Sequence, residues 1–435
     1  MDRQNTSAKM FWAVVVCVLC AVSMWTYAER VLITHQLSYA AIHGNPRGNL
    51  SDLYPRWLGA RELLLHGRDP YSAEITREIQ TGYYGRPLDP SRPEDPIDQQ
   101  AFAYPAYLVF YLAPTIHLDF AIVQKTFFWI LIGLTLASIP LWLRVLSWPV
   151  PPSIQAVLMV LTLGSLPVLQ GLKLQQLTLL VAAMLALAMA LLVTERPIAA
   201  GILLALATIK PQLVLPLLLW LAIWSLGDLK RRYRWAVSFL VVMAILCAGA
   251  EFCLPHWIAR FWHAAAEYRH YTRATPILGV LLPHPWDILL EALFAAATAF
   301  VCWKQRKYPE NTGAFQSSTC LVLALTVLEL PTFSLYNQAL LLPAILIVVR
   351  DQKILWERNL ASRCVMVMVA VMLAWPWLSS TVLGGLSFVL PQETIQRAWA
   401  IPEWTVLHIP ASVTALLLLH YYQRTFPAPA GQGSS

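Results

Sequence analysis

The sequence predicts an all-helical membrane protein with many spanning helices. Of its 435 residues, 58% are hydrophobic and 13% are charged, and the mean hydropathy is +0.56. Soluble domains carry roughly a quarter charged residues, so this composition excludes an ordinary soluble fold. Apolar runs recur along the whole chain, and about 20 apolar residues are enough to cross a bilayer core. Together these observations predict a bundle of about twelve transmembrane helices.

The first apolar run, Met10 to Ala28, predicts a retained signal anchor. It reads MFWAVVVCVLCAVSMWTYA, which is longer than the apolar part of a cleaved signal peptide and has no small-residue cleavage site. It ends in Trp and Tyr, which are typical of the membrane–water interface. The seven cysteines lie mostly inside apolar runs, so they predict neither a disulfide framework nor a metal site.

Three short basic segments predict the cytoplasmic side. They are Lys230–Arg234, Lys304–Lys307 and Arg350–Arg363, and basic loops between spans stay in the cytoplasm. The net charge of +7 is therefore a topology signal, and we expect no nucleic-acid partner. Apolar stretches lie between and after these segments, near residues 234–254, 286–303, 317–334, 338–349, 363–383 and 404–422.

The chain is expected to form one integral membrane domain over residues 1–435. With the N-terminus inside, the polar residues 29–101 are predicted to form an extracytoplasmic loop that carries interfacial helices. Residues 102–345 form the predicted core and residues 346–425 the C-terminal helices. Residues 426–435, rich in Pro, Gly and Ser, are predicted to be a disordered tail.

Two segments of the core leave alternatives open. Ala101–Leu118 is long enough either to span or to be re-entrant. As one helix, Arg196–Leu226 would be roughly 46 Å long, which is too long for a ~30 Å core, and Lys210-Pro211 lies in its middle. We favour a hairpin with Lys210 at an outward tip, because a lysine at mid-helix is costly.

A polar stretch follows the first span: NLSDLYPRWLGARELLLHGRDPYSAE, residues 49–74. Ser51 or Asp52 lies where a helix N-cap is expected, and Gly67 lies where that helix should end. Asp52 is then a cap, or an acid at the membrane boundary where a lipid-borne substrate presents its head group, or both. The spacing predicts an amphipathic helix at the outer membrane surface, with one face formed by Leu53, Trp57, Ala60 and Leu64 and the opposite face by Glu62 and His66.

Further polar groups lie at the ends of apolar runs. In the favoured topology they share the side of Asp52, and such groups at membrane depth are candidates for function. Each also has a simpler interpretation, since Gln175 or Gln176 could bond another helix and Lys210 could reach the surface. The segments are Phe102–Tyr107, Leu169–Thr178, Ala207–Leu213 and Pro331–Pro343.

Leu254–Pro276 is rich in His, Arg, Tyr and Trp. This composition suits an interfacial helix, and it also suits binding of sugar and phosphate by aromatic stacking and arginine pairing. The motifs of nucleotide-binding loops, zinc proteases and serine hydrolases are absent from the sequence, and so is an Asp-x-Asp signature for divalent metals.

The order of these motifs resembles glycosyltransferase family 87, the polyprenol-phosphate-sugar-dependent enzymes of the GT-C class. Two departures are visible: Ala106 replaces the second proline of a Tyr-Pro-Pro motif, and a late pair of histidines is absent, which indicates a different sugar or acceptor. The matching elements are Asp52-Leu53-Tyr54, Gly67-Arg68-Asp69-Pro70-Tyr71, Tyr104-Pro105, Gln175-Gln176, the hairpin residues Gly201, Ala205, Lys210 and Pro211, and Ser334 followed by Leu342-Pro343-Ala344.

The resemblance implies a GT-C-like bundle that transfers a sugar, commonly mannose, from a polyprenyl phosphate to an acceptor hydroxyl. The acceptor would be a glycolipid, a glycan or a protein, the anomeric carbon would be inverted, and no metal or other cofactor is expected. The location would be a bacterial inner membrane, with the site on the extracytoplasmic face. The implied general base is Asp52, with Asp69 as second choice; the phosphate ligand is Lys210, helped by Arg56, Arg61 or Arg269; and the pocket residues are Tyr54, Tyr71, Tyr104, Gln175, Gln176, Tyr336 and Asn337.

Two other classes fit the same spans. A secondary transporter, or a flippase of lipid-linked sugars, would have a similar number of helices. Transporters usually show internal repeats, and no repeat is visible in this sequence. A non-catalytic membrane subunit is the third alternative.

Overall fold

The computed structural model describes residues 2–45, 51–89 and 91–425, and within these ranges the chain is helical without a strand. The predicted disordered tail, residues 426–435, lies outside the described residues. The helices are α1 Asp2–Tyr27, α2 Ile33–Ile42, α3 Tyr54–His66, α4 Ala73–Tyr84, α5 Val109–Leu112, α6 Phe120–Val145, α7 Pro152–Leu163, α8 Leu166–Lys173, α9 Leu177–Val193, α10 Pro197–Ala207, α11 Pro211–Ser225, α12 Leu229–Cys253, α13 Trp257–Tyr271, α14 Ile277–Leu281, α15 Trp286–Gln305, α16 Gly313–Glu329, α17 Leu342–Arg350, α18 Gln352–Arg358, α19 Leu360–Leu386, α20 Gln392–Gln396 and α21 Ile409–Thr425.

Five helical segments of the described chain are long and apolar enough to cross a membrane. A sixth is added if α7 and α8, which are bent by 60° at their junction, count as one span. Seven shorter apolar helices accompany them, so the predicted total of about twelve spans depends on how these shorter helices sit in the bilayer. The five segments are Phe11–Ile42, Phe120–Val145, Leu229–Cys253, Trp286–Gln305 and Leu360–Leu386.

The first helix is longer than its apolar run predicts. It continues beyond Ala28 through one π-helical turn, Ala28–Leu32, into α2, so the polar loop that was predicted to begin at residue 29 begins after Ile42. The charged residues of this turn have partners: Glu29 pairs with Lys173, and Arg30 donates to the Ser387 hydroxyl at 3.1 Å. Because these charges are satisfied, the helix does not have to end there.

Helix α3 differs from its prediction at both its start and its polar face. It begins without a side-chain cap from Asp52, and the N-cap position is Leu53, so the predicted capping role of Asp52 is wrong. Glu62, predicted to lie on the polar face, is buried and pairs with Arg68 at 2.8 Å. The predicted end is confirmed, since Gly67 stops the helix with φ at +66°, a conformation that glycine adopts without strain.

Helices α10 and α11 form the favoured hairpin. Arg231, in the first turn of α12, lies 3.5 Å from Glu195, just before α10, and 3.6 Å from Glu310. The start of α10 and the end of α11 therefore lie at the same end of the bundle, and Lys210-Pro211 forms the tip between them. Gly201 allows this hairpin to pack closely on α12, because a Cβ there would overlap the Trp235 carbonyl group.

The segment Ala101–Leu118 does not cross the bundle. Only Ala106–Thr115 is helical, in three short turns, and ten residues of helix reach about 15 Å against a ~30 Å core. Its Tyr107 and Tyr111 hydroxyls donate to the carbonyl oxygens of Thr208 and Leu206, at 2.9 and 2.7 Å. The helical part of the segment is thus too short to span a bilayer core, and it packs on the tip of the hairpin.

Candidate active site

The Asp52 carboxylate lies between two elements that are distant from it in sequence. One oxygen accepts a hydrogen bond from the Gln176 side-chain amide, and the other accepts from the Tyr83 hydroxyl at 3.1 Å. The Asp52 backbone N–H donates to the Leu174 carbonyl oxygen at 3.0 Å. The turn between α8 and α9 and the end of α4 therefore position this acid.

Further hydrogen bonds hold the turn between α8 and α9 in place. The Ser51 hydroxyl donates to the Gln175 side-chain oxygen at 2.6 Å, and the Gln175 amide donates to the Leu172 carbonyl oxygen at 2.8 Å. Gln175 has φ at +49°, a left-handed conformation that is uncommon outside glycine. Its side chain is used in holding this turn, which leaves Gln176 as the residue that reaches Asp52.

The Lys210 ammonium is held at the tip of the hairpin and is almost fully buried, with 5% of the residue exposed. It donates to the Gln176 side-chain oxygen and to the Thr178 hydroxyl, both at 2.8 Å. It lies 5.1 Å from the centre of the Tyr336 ring and 5.7 Å from that of Tyr104. Among the residues the structure describes, no carboxylate lies within ion-pair distance of it, so neutral oxygens and aromatic faces hold this cation.

One amide connects the two groups. Gln176 donates from its nitrogen to Asp52 and accepts at its oxygen from Lys210. Thr178, which also accepts from Lys210, donates to the Asn337 side-chain oxygen at 3.0 Å. A continuous polar chain therefore runs from Asp52 to Asn337 and joins four segments, and its longest single step, from Thr178 to Asn337, spans 159 residues of sequence.

Arg56 lies beside this chain. Its guanidinium carbon is 4.7 Å from the centre of the Tyr104 ring, a cation–π distance. Its Nε is buried and has no hydrogen-bond partner among the described residues. The Tyr104 carbonyl oxygen in turn accepts from the Tyr71 hydroxyl at 2.6 Å. An arginine held by a ring, with a free donor, is suited to an anionic or polar ligand.

A second carboxylate, Asp98, lies close to the first. Burial raises the pKa of Asp98, and the negative charge of Asp52 raises it further. The hydrogen bond from the Gln100 backbone N–H and the positive charge of Arg56 act in the opposite direction. Burial, followed by the Asp98 charge, also raises the pKa of Tyr268 on α13. Asp98, Tyr83 and Thr178 were not predicted as site residues. Thr178 ends the polar segment Leu169–Thr178 that the sequence marked, whereas no periodicity or motif marks Asp98 or Tyr83.

A family model for glycosyltransferase family 87 matches residues 102–331, which is more than half of the chain. The chain belongs to glycosyltransferase family 87. It is therefore a glycosyltransferase of a membrane family, and the transporter and subunit alternatives lose their support. No curated protein and no solved structure matches the chain.

The family 87 segment covers only part of the site. Lys210, Gln176 and Tyr104 lie within it, whereas Asp52 and Arg56 precede it and Asn337 follows it. The positions of Asp52 and Asn337 in the site therefore come from the structure, since the family match does not include them.

Several predicted site residues of this family 87 protein lie apart from the polar chain. Asp69 accepts the Tyr71 backbone N–H at 2.9 Å and pairs with Arg260, so its carboxylate is engaged elsewhere. Arg61 lies over the Trp57 ring, and the Tyr54 ring packs edge-on against Phe120. The side chain of Arg269 is exposed.

Proposed function

We propose that this glycosyltransferase moves a sugar from a polyprenyl-phosphate donor to an acceptor hydroxyl, with inversion, and that Asp52 is the general base. One observation carries the proposal: Gln176 holds the Asp52 carboxylate at one end of its amide and the Lys210 ammonium at the other. The side-chain amide of Gln176 thus lies between a proton acceptor and a cation and bonds both of them. This is the charge pattern that attack on a sugar–phosphate bond needs.

Asp52, Lys210 and Arg56 each have one role in the proposed reaction. The acceptor hydroxyl oxygen attacks the anomeric carbon, its proton passes to the Asp52 carboxylate, and the bond between that carbon and the phosphate oxygen breaks. The bonding electrons leave with the phosphate, whose growing negative charge faces Lys210 and Arg56. A displacement in one step inverts the configuration, as in inverting glycosidases.

Asp52 keeps the capacity that this role requires. An ionised carboxylate offers about four acceptor positions, and Gln176 and Tyr83 occupy two of them in the structure. An acceptor hydroxyl can therefore bind while these two partners stay in place. The same two bonds hold the carboxylate in one orientation, which favours a productive geometry.

We place the site on the extracytoplasmic face of the membrane. Two of the basic segments predicted to be cytoplasmic meet at the other end of the bundle, where Arg232 donates to the Arg306 carbonyl oxygen at 2.7 Å and Arg231 lies near Glu195 and Glu310. Lys210 lies at the tip of the hairpin whose two outer ends are at that basic end. With the basic loops inside, the polar chain from Asp52 to Asn337 faces outward, where polyprenyl-phosphate sugars present their head groups.

The test compares two aspartates in proteoliposomes that are supplied with a panel of polyprenyl-phosphate sugars. We expect Asp52→Asn to lower kcat by a factor of about 10²–10⁴, the usual contribution of a general base, with an unchanged unfolding midpoint. The matched control is Asp69→Asn, which removes a carboxylate that pairs with Arg260 and should keep the wild-type rate per folded molecule. A wild-type rate for Asp52→Asn, or an equal loss in both variants, would contradict the role of Asp52. Absence of transfer from every donor by the wild type would overturn the choice of donor.

A further inference from the structure

A groove of about 580 Å³ lies between α1 and α7, on the outside of the bundle. On α1 it is lined by a stripe at helical spacing, which includes Val18, Val22, Trp25 and Glu29. Apart from Thr26, Glu29 and Arg30, the residues that line it are apolar, and Val22 is 57% exposed. From Val18 to Glu29 the stripe is about 16 Å long, roughly half the thickness of a bilayer core.

The groove lies beside the bend between α7 and α8. Gly164 lies at this bend and touches α1 so closely that a Cβ there would overlap Ala21. Beyond Gly164 the chain turns by 60°, and α8 packs against the next turns of α1, with Leu166 and Leu169 near Met24. The groove is therefore bounded by α1 and by the last turn of α7, up to Gly164.

The upper rim of the groove is charged, in contrast to its walls. Lys173 pairs with Glu29, and its ammonium lies 5.0 Å from the centre of the Trp25 ring. Arg30 lies over the Phe388 ring at 4.2 Å and is bonded to Ser387. Glu29 and Arg30 line this end of the groove, and Lys173 lies just beyond it, against Glu29 and Trp25. The two cations and one carboxylate give this rim a net positive charge, which complements a lipid phosphate.

The rim adjoins the candidate active site. Lys173 precedes Gln176 by three residues, and Gln176 bonds both Asp52 and Lys210. The residue between the rim and this turn, Leu174, accepts the Asp52 backbone N–H. A second cavity of about 200 Å³, lined by Lys173 and Leu174 and by α2, lies beside the rim. The segment that follows α8 therefore connects the end of the groove to the catalytic groups.

We propose that this groove holds the prenyl chain of the lipid donor, with the phosphate leaving the groove at Lys173 and turning toward Lys210. This inference rests on the proposed function. It gives α1, which lies outside the segment that matches family 87, a part in substrate binding. An anionic lipid fits best, because a long apolar wall ends in cations and opens toward the bilayer, and the donor is the lipid that must reach Lys210.

The test measures how affinity depends on chain length in purified protein in nanodiscs. The probes are a long polyprenyl phosphate and geranyl phosphate, neither of which carries a sugar. The wild type should bind the long chain at least about tenfold more tightly, because more apolar surface is buried. Val22→Trp fills the groove and should remove most of that preference while binding of geranyl phosphate persists. Val18→Trp, on the same stripe, serves if the first variant does not fold.

Val16→Trp is the matched control. Val16 lies on the same helix and is 55% exposed, but it does not line the groove, so its variant should keep the wild-type preference. Equal chain-length dependence in the Val22 and Val16 variants would overturn the inference and leave the proposed donor intact. Displacement of the long chain by an equal amount of anionic phospholipid would also overturn it, since the groove would then hold any lipid. If the wild type binds neither probe, the proposed function itself fails.

Discussion

Two half-buried arginines, one at each end of the bundle, are held in opposite ways. At the basic end, all three guanidinium nitrogens of Arg350 donate: Nε and Nη2 to Asp351, at 2.8 and 2.9 Å, and Nη1 to Gln316, at 2.7 Å, and to Leu146. At the Asp52 end, the Nε of Arg56 is buried and has no partner among the described residues. Every guanidinium nitrogen of Arg350 therefore has a protein partner, whereas the Nε of Arg56 remains available to a ligand.

The difference separates two uses of buried charge. A buried ion whose donors are all satisfied fixes the packing around it, and its loss leaves a partner charge unpaired. A buried polar group without a partner costs free energy of folding, so its retention calls for a ligand or a chemical role. On this basis Arg350 stabilises the fold and Arg56 is kept ready for a substrate.

The largest effect on stability is expected from Arg350→Met. The variant leaves Asp351 buried without its main cation, so the free energy of unfolding should fall by about 3–5 kcal/mol. Thermal unfolding of the purified protein in detergent measures this change, and the transfer rate per folded molecule should stay at the wild-type level. Arg234→Met, at an exposed arginine of the same end, is the control and should change little. If Arg350→Met unfolds with the wild-type free energy, Arg350 does not stabilise the fold, and the contrast drawn with Arg56 is wrong.

A smaller effect, on substrate binding alone, is expected from Arg56→Met. Loss of one charged contact to the donor should raise its KM about tenfold, which corresponds to about 1.4 kcal/mol. The unfolding midpoint should not fall, because the guanidinium Nε has no partner to lose. The control is Arg61→Met. Arg61 lies on the same helix and its Nε is also buried without a partner among the described residues, but it lies over the Trp57 ring, apart from the polar chain, so its variant should keep the wild-type KM. Unchanged KM with lowered stability would show that Arg56 serves the fold.

The sequence predicted the helical class and the hairpin for physical reasons that are local. Apolar length sets the spanning helices, and a Lys210-Pro211 step cannot sit comfortably in the middle of a long apolar helix. Both signals are properties of short windows, so no knowledge of the fold was needed. The same holds for Gly67, which ends α3 as predicted.

The predictions that failed depended on contacts between distant segments. Asp52 was expected to cap its own helix, but its carboxylate is bonded to Gln176, 124 residues away. Glu62 was placed on an exposed face because its partner Arg68 lies beyond the end of the helix. Asp98, whose charge interacts with that of Asp52, comes from a segment without a motif, and Thr178 ends a marked segment without having been selected from it. Only the packed chain shows that they lie near this site.

Lys210, a buried cation held by neutral oxygens, is the proposed ligand of the donor phosphate, and one variant tests this role most directly. In Lys210→Met, both the unfolding midpoint and the affinity for polyprenyl phosphate are measured, with exposed Lys230→Met as the control. Because an unpaired buried charge is costly to fold, the midpoint should stay or rise. The affinity should drop by a factor of about 30–100, the equivalent of about 2–3 kcal/mol for a charged contact. A fallen midpoint with wild-type affinity would contradict the account, because Lys210 would then stabilise the fold instead of binding the phosphate.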